Sequence, residues 1–213
     1  MRGCIFFIFL CFTLAYCGHS KNNAVNNKVD STPRQGNNKI PSIQKQEKTI
    51  LENPPTFEKA HPNAKLLMNE DFYFSRVDEA APFGNPDGAN AYAGFQDWRQ
   101  KHKQDLPIDF LTRQIDHLGY PAFDINETDF LKLQSYLHQH EFGSRFISGT
   151  DAVIVAIAFG QLYLEGTIDK SLKETAKTAI RRQLIPQFLI FWGDPDRTER
   201  MWKLTKMLAV LDK

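Results

Sequence analysis

The stretch TDAVIVAIAFGQLYLEG, residues 150–166, decides the fold of this chain. Its heart, Val153 to Phe159, is apolar on every side, as expected of a helix buried all round at the centre of a domain. Thr150-Asp151 reads as the opening of that helix. Gly166 reads as its C-terminal cap, because glycine adopts the left-handed backbone that ends helices without a Cβ clash. The β-branched run Val153-Ile154-Val155 keeps a buried strand open as the alternative.

Outward from that segment the apolar residues keep helical spacing. On the C-terminal side, residues 169–184 are amphipathic and Pro186 forces a kink or a restart. Asp194-Pro195 resembles an N-cap followed by a first-turn proline, leading into Met201, Leu204, Leu208 and Leu211. On the N-terminal side, Asn126 is the expected cap of a helix carrying Phe130, Leu131, Leu133 and Leu137. Phe110, Leu111, Ile115 and Leu118 form another apolar stripe, stopped by Gly119-Tyr120-Pro121, and Tyr92, Phe95, Trp98 and Arg99 a further one. Phe57, Ala60, Ala64, Leu67 and Met68 suggest a first helix, with Pro62 confining it to its later part. The expectation is an all-α fold: one compact domain over residues 56–213, of six to eight helices.

One segment breaks the pattern. Residues 71–90 mix aromatics, acids and turn formers, and long irregular connections in compact domains are often functional. The candidate binding loop comprises Arg76, Asp78, Glu79, Phe83, Gly84, Asn85, Asp87 and Gly88, with Trp98 nearby in sequence. An EF-hand calcium loop is excluded, because with Gly88 at the sixth position Phe83 and Gly94 fall where acidic ligands are required; another kind of oxygen-ligand site stays open. Asp78-Glu79 is a weak catalytic pair, because adjacent side chains usually point apart. The bland alternative has Phe72, Phe74 and Phe83 pinning the loop to the core while its acids stay solvated.

Other constellations carry less. His138 and His140 lie two apart, on different sides of a helix, so no metal site is assigned. Arg181-Arg182 suits an anion clamp or, more simply, a salt bridge. Trp98, Trp192 and Trp202 sit in apolar helical patterns and read as core. There is no Gly-x-Ser-x-Gly elbow, dinucleotide fingerprint or P-loop, so neither a catalytic residue nor a cofactor is assigned.

The run HPNA (61–64), FYFS, DE, PFGN and DG (within 72–88), FQDWR (95–99), AFGQLYLEG (158–166) and AIRRQ (179–183) resembles the YfeS-like family of uncharacterised bacterial proteins. The resemblance covers most of residues 57–213 and implies a shared fold. That family has no established activity, so no residue role follows from it. The WGR domain that accompanies some of its members is not seen here.

The other end of the chain reads as an address. MRGCIFFIFLCFTLAYC, residues 1–17, has a basic start and an apolar run too short to span a bilayer, the order of a secretory signal. Leu14-Ala15-Tyr16-Cys17 resembles a lipobox, which makes Cys17 the expected lipidation site, although Tyr16 departs from the usual small residue. All three cysteines lie in this segment, so the domain holds no disulfide. Residues 18–55 are polar and read as a disordered tether. The expected location is the bacterial envelope, as a periplasmic or outer-membrane lipoprotein. A soluble periplasmic product, and an uncleaved or cytosolic apolar N-terminus, are the alternatives.

Residues 56–213 hold 19 Lys/Arg against 22 Asp/Glu, a balance that argues against non-specific nucleic-acid binding. The expectation is a lipid-anchored module that binds an unidentified protein partner in the envelope, one version being an immunity-type role. An envelope hydrolase using acids of the 71–90 loop is the alternative.

Overall fold

The computed structural model describes residues 54–190 and 192–213. The signal with Cys17, and the tether up to residue 53, lie outside the described residues. In chain order the helices are α1 (Pro62–Leu67), a 3₁₀ turn (Asp71–Phe74), α2 (Pro86–Lys101), α3 (Pro107–Leu118) and α4 (Phe130–Gln139). They continue with α5 (Gly143–Glu165), α6 (Lys170–Gln183), α7 (Pro186–Leu189) and α8 (Asp194–Leu211). Among the described residues the fold is all-helical, with no strand, so the strand alternative for residues 153–159 falls away.

α5 is the axle. α1, α2, α3, α4 and α6 all pack against it, and α8 is held on α6. Ile154, Ala156, Ile157, Ala158 and Phe159 are fully buried, and burying each large one contributes about 1.5–3 kcal/mol. α5 is long and apolar enough to cross a membrane, yet 83% of its most apolar 18-residue window is buried inside the domain. It is a core helix.

Small residues let α2 lie close against α5, the most extensive helix–helix contact of the domain. Gly88 on α2 faces α5 so closely that a Cβ there would sit 2.9 Å from the Ala152 carbonyl oxygen and 3.2 Å from Ala156 Cβ. An alanine at position 88 would push the two helices apart. At the other end of α5, Gly166 has φ +74° and caps the helix, its N–H donating to Leu162 O at 2.8 Å. His61 N donates to Tyr163 O at 2.9 Å, which ties the start of α1 to the same end.

Two helix starts differ from the sequence reading by several residues, and α8 is capped by Gly193 rather than by Asp194, which lies in its first turn. α5 begins at Gly143, about two turns ahead of Thr150. Thr150 instead donates its hydroxyl to Phe146 O at 2.9 Å within the helix, and Asp151 turns inward. α4 is capped by Asp129, whose carboxylate accepts from Leu131 N at 2.9 Å, rather than by Asn126. In both cases a residue with cap chemistry was read as a boundary, and the boundary lies elsewhere because tertiary contacts choose it.

Candidate functional site

The irregular stretch is shorter than residues 71–90: its start is the 3₁₀ turn and its end is the first turn of α2. Asn85 caps α2, Oδ1 accepting from Asp87 N at 2.9 Å. Asp87, in the first turn where a helix favours negative charge, accepts from Tyr120 Oη at 3.0 Å and from Arg145 Nη1 at 2.5 Å. That bond to Asp87 raises the Arg145 guanidinium; burial, with help from Asp87, raises the Tyr120 hydroxyl. The cluster closes directly over Gly149 of α5, where a Cβ would lie 2.3 Å from the Asp87 carboxylate.

Asp78 is equally engaged. Its Oδ1 accepts from Ala80 N at 2.9 Å and its Oδ2 from Lys203 Nζ of α8. Phe83 is buried between Tyr92 and Tyr163, with ring centroids at 4.7 and 6.3 Å. Phe83 therefore pins the loop as the bland reading expects, but Asp78 and Asp87 are held in internal ion pairs rather than solvated. Gly84 closes a turn by donating to Ala81 O at 3.3 Å.

Arg76 is exposed, beside a recess of about 10 Å³ with Phe83, Tyr92 and Gln96. Trp98 lies on Phe95, Phe110 and His102, with Arg99 and Arg113 at its ring face. It shares no cleft with Asp78, Glu79 or Asp87. Trp202 is 45% exposed, so the core reading fails for it.

Glu79 and Asn85 meet a group of residues from far along the chain. They share a narrow recess of about 50 Å³ with Ser148, Gln183, Trp192 and Arg200. The last four also line the adjoining cleft of about 260 Å³, together with Ser144, Arg145, Asp151, Arg182 and Phe188. The walls come from the loop, α5, the end of α6, α7 and α8.

Two buried arginines reach this cleft. Arg182 is 0% exposed and Asp151 1%. Arg182 donates Nε to Asp151 Oδ1 at 3.1 Å, Nη2 to the same carboxylate, and Nη1 to the carbonyls of Ile125 and Glu127 at 2.9 and 2.8 Å. Burial pushes the Asp151 carboxyl up to about 6 against the pull of Arg182. The salt-bridge reading of Arg181-Arg182 holds for Arg182.

Arg200 is 9% exposed and stands 4.2 Å over the Trp192 ring. Nη2 donates to Gln183 Oε1 at 2.7 Å; among the described residues Arg200 makes no ion pair. Burial pulls its guanidinium below the ordinary value, opposed at longer range by the carboxylates of Glu79, Asp78 and Asp151. The arrangement offers donors, one cation with no carboxylate in contact and aromatic surface: the makings of a binding cleft.

Sequence reading missed Arg145, Gln183 and Arg200 and placed Trp192 in the core. The available signal was spacing: Arg200 falls on the helix face of Leu204, Met207 and Leu211, a cation where burial is expected.

The domain is similar to a known protein of unknown role. The "Uncharacterized protein YfeS" of Escherichia coli (strain K12) is 27% identical over 139 residues, 63% of this chain and 54% of that protein. The match bears out the YfeS-like resemblance, and the chain spans about half the length of this curated relative. No family model matches. No solved structure matches.

Proposed function

We propose that this chain is an exported, lipid-anchored binding protein of the bacterial envelope, fixed to a membrane through Cys17 and carrying an α-helical recognition domain on a polar tether. The observation that supports binding over catalysis is the cleft around Arg200. It presents hydrogen-bond donors and aromatic surface, while the loop carboxylates Asp78 and Asp87 are engaged by Lys203, Arg145 and Tyr120. The hydrolase alternative relies on Asp78, Glu79 or Asp87 as free acid and base; with Asp78 and Asp87 engaged only Glu79 is left to it, and it has less support. Immunity against a toxin remains one form of the protein-binding reading.

Two measurements test it. Intact-mass analysis of the mature protein from cells is expected to show a diacylated or triacylated Cys17; another N-terminal residue removes the anchor. A pull-down from envelope membranes with the complete chain is expected to enrich a specific partner. Blocking the cleft by S148W, a change at an exposed position on its rim, is expected to abolish that enrichment. Unchanged capture by a folded S148W variant would contradict the cleft as the recognition surface.

A further inference from the structure

The three arginines lining the cleft are not equally paired. Arg145 pairs with Asp87 and Arg182 with Asp151, whereas Arg200 has one neutral hydrogen-bond partner and, among the described residues, no carboxylate in contact; Glu79, Asp78 and Asp151 act on it only at longer range. A buried cation without a carboxylate in contact is costly, and its remaining N–H groups keep their capacity to donate. The planar guanidinium fork matches a carboxylate with two parallel hydrogen bonds. Beside it Trp192, Phe188 and Ile147 offer an apolar wall that a charged headgroup alone would leave uncovered.

We propose that this cleft recognises a carboxylate borne on an apolar or aromatic group, the carboxylate pairing with Arg200 and the apolar part lying on Trp192 and Phe188. The inference deepens the binding reading above and rests on it. A monoanion fits better than a phosphate dianion: only one guanidinium of the cleft lacks a carboxylate in contact, and Glu79, Asp78 and Asp151 already set negative potential around it. A volume of about 260 Å³ suits a group the size of one phenylalanine side chain with its carboxylate rather than a large cofactor. Such a carboxylate comes either from a free small acid or from the C-terminus of a peptide, and the two sources share this chemistry.

Calorimetric titration of the complete chain in detergent distinguishes them. The probes are 3-phenylpropionate, 3-phenylpropionamide, the tripeptide Ala-Ala-Phe with a free C-terminus, its C-terminal amide, and inorganic phosphate. At least one carboxylate is expected to bind with a dissociation constant below about 1 mM, and its amide at least about tenfold more weakly. A peptide that binds about tenfold tighter than the free acid identifies a chain terminus; equal or weaker peptide binding identifies a small acid. R200Q is expected to lose at least about tenfold in affinity, and R200K, which keeps the charge but not the fork, nearly as much.

Should R200Q not fold, the Trp192 indole N–H resonance of the unsubstituted protein serves instead, since it is expected to shift on carboxylate addition. Amide binding equal to acid binding, tighter binding of phosphate, no binding of either acid, or a Trp192 signal that stays still at saturation each overturns the proposal. A partner captured from membranes that is retained by R200Q and not displaced by about 10 mM 3-phenylpropionate sinks the carboxylate inference and leaves the binding reading standing. Carboxylate binding without any captured partner sinks the protein-binding reading and leaves this inference in its small-acid form.

Discussion

Arg182 and Arg200 face the same cleft from neighbouring helices, both are buried, and their surroundings differ completely. Arg182 spends its donors inside the protein, on Asp151 and on two carbonyls of the segment before α4. It staples α6 to α5 and to the approach to α4. Arg200 spends one hydrogen bond on Gln183 and rests on Trp192. The first arrangement is complete without a ligand; the second becomes complete only when an acceptor arrives. Burial alone therefore does not separate a structural arginine from a recognition one, and the inventory of its donors does.

The largest test of this contrast is removal of Asp151. D151A leaves the Arg182 guanidinium buried and uncompensated, and is expected to cost about 3–5 kcal/mol in urea unfolding. If D151A instead unfolds at nearly the unsubstituted midpoint, Arg182 is not the staple described. Titration of the Asp151 carboxyl carbon by NMR comes next. Burial raises this group to about 6 in the folded chain from an ordinary 3.8, so between those values the folded state binds the extra proton. Its contribution to stability accordingly falls as pH rises through about 4 to 6, and is level above that, with a total span of about 3 kcal/mol. A midpoint in the ordinary carboxylate range would show that Arg182 outweighs burial.

A smaller effect is expected at Asp87, whose pair with Arg145 is half exposed. D87A is expected to cost about 1 kcal/mol, from the lost pair and the favourable charge at the start of α2. It also releases Arg145 into the cleft, so phosphate binding is expected to strengthen relative to carboxylate binding. The smallest stability change belongs to R200Q. Taking away a buried cation that has no carboxylate in contact offsets the lost stacking and hydrogen bond, so the melting temperature is expected to stay within a few degrees. A loss comparable with D151A would make Arg200 a structural residue after all.

Much of the helical frame was legible before any coordinates. Pro186, Gly119 and Gly166 mark real helix boundaries, because their backbone chemistry acts locally and needs no tertiary partner. Asp151 and Asn126 misled for the opposite reason: an acid or amide looks like a cap in sequence whether it serves a helix end or a distant arginine. The candidate site was less legible. Glu79 and Asn85 do reach the cleft, but Ser148, Gln183, Trp192 and Arg200 are brought to them only by the packing of α5, α6 and α8. Arg76 and Trp98, close to the loop in sequence, point elsewhere. The chemistry of Arg200 depends on which carboxylates do not reach it, and no linear pattern records that.

Hydrogen exchange at the two arginine Nε–H groups, followed by NMR with and without 3-phenylpropionate, puts the central contrast to the most direct test. The Arg182 signal is expected to exchange slowly in both conditions, and the Arg200 signal rapidly alone and at least about tenfold more slowly once the acid is bound. Slow exchange at both sites without ligand, or an Arg200 signal indifferent to the acid, would contradict the account.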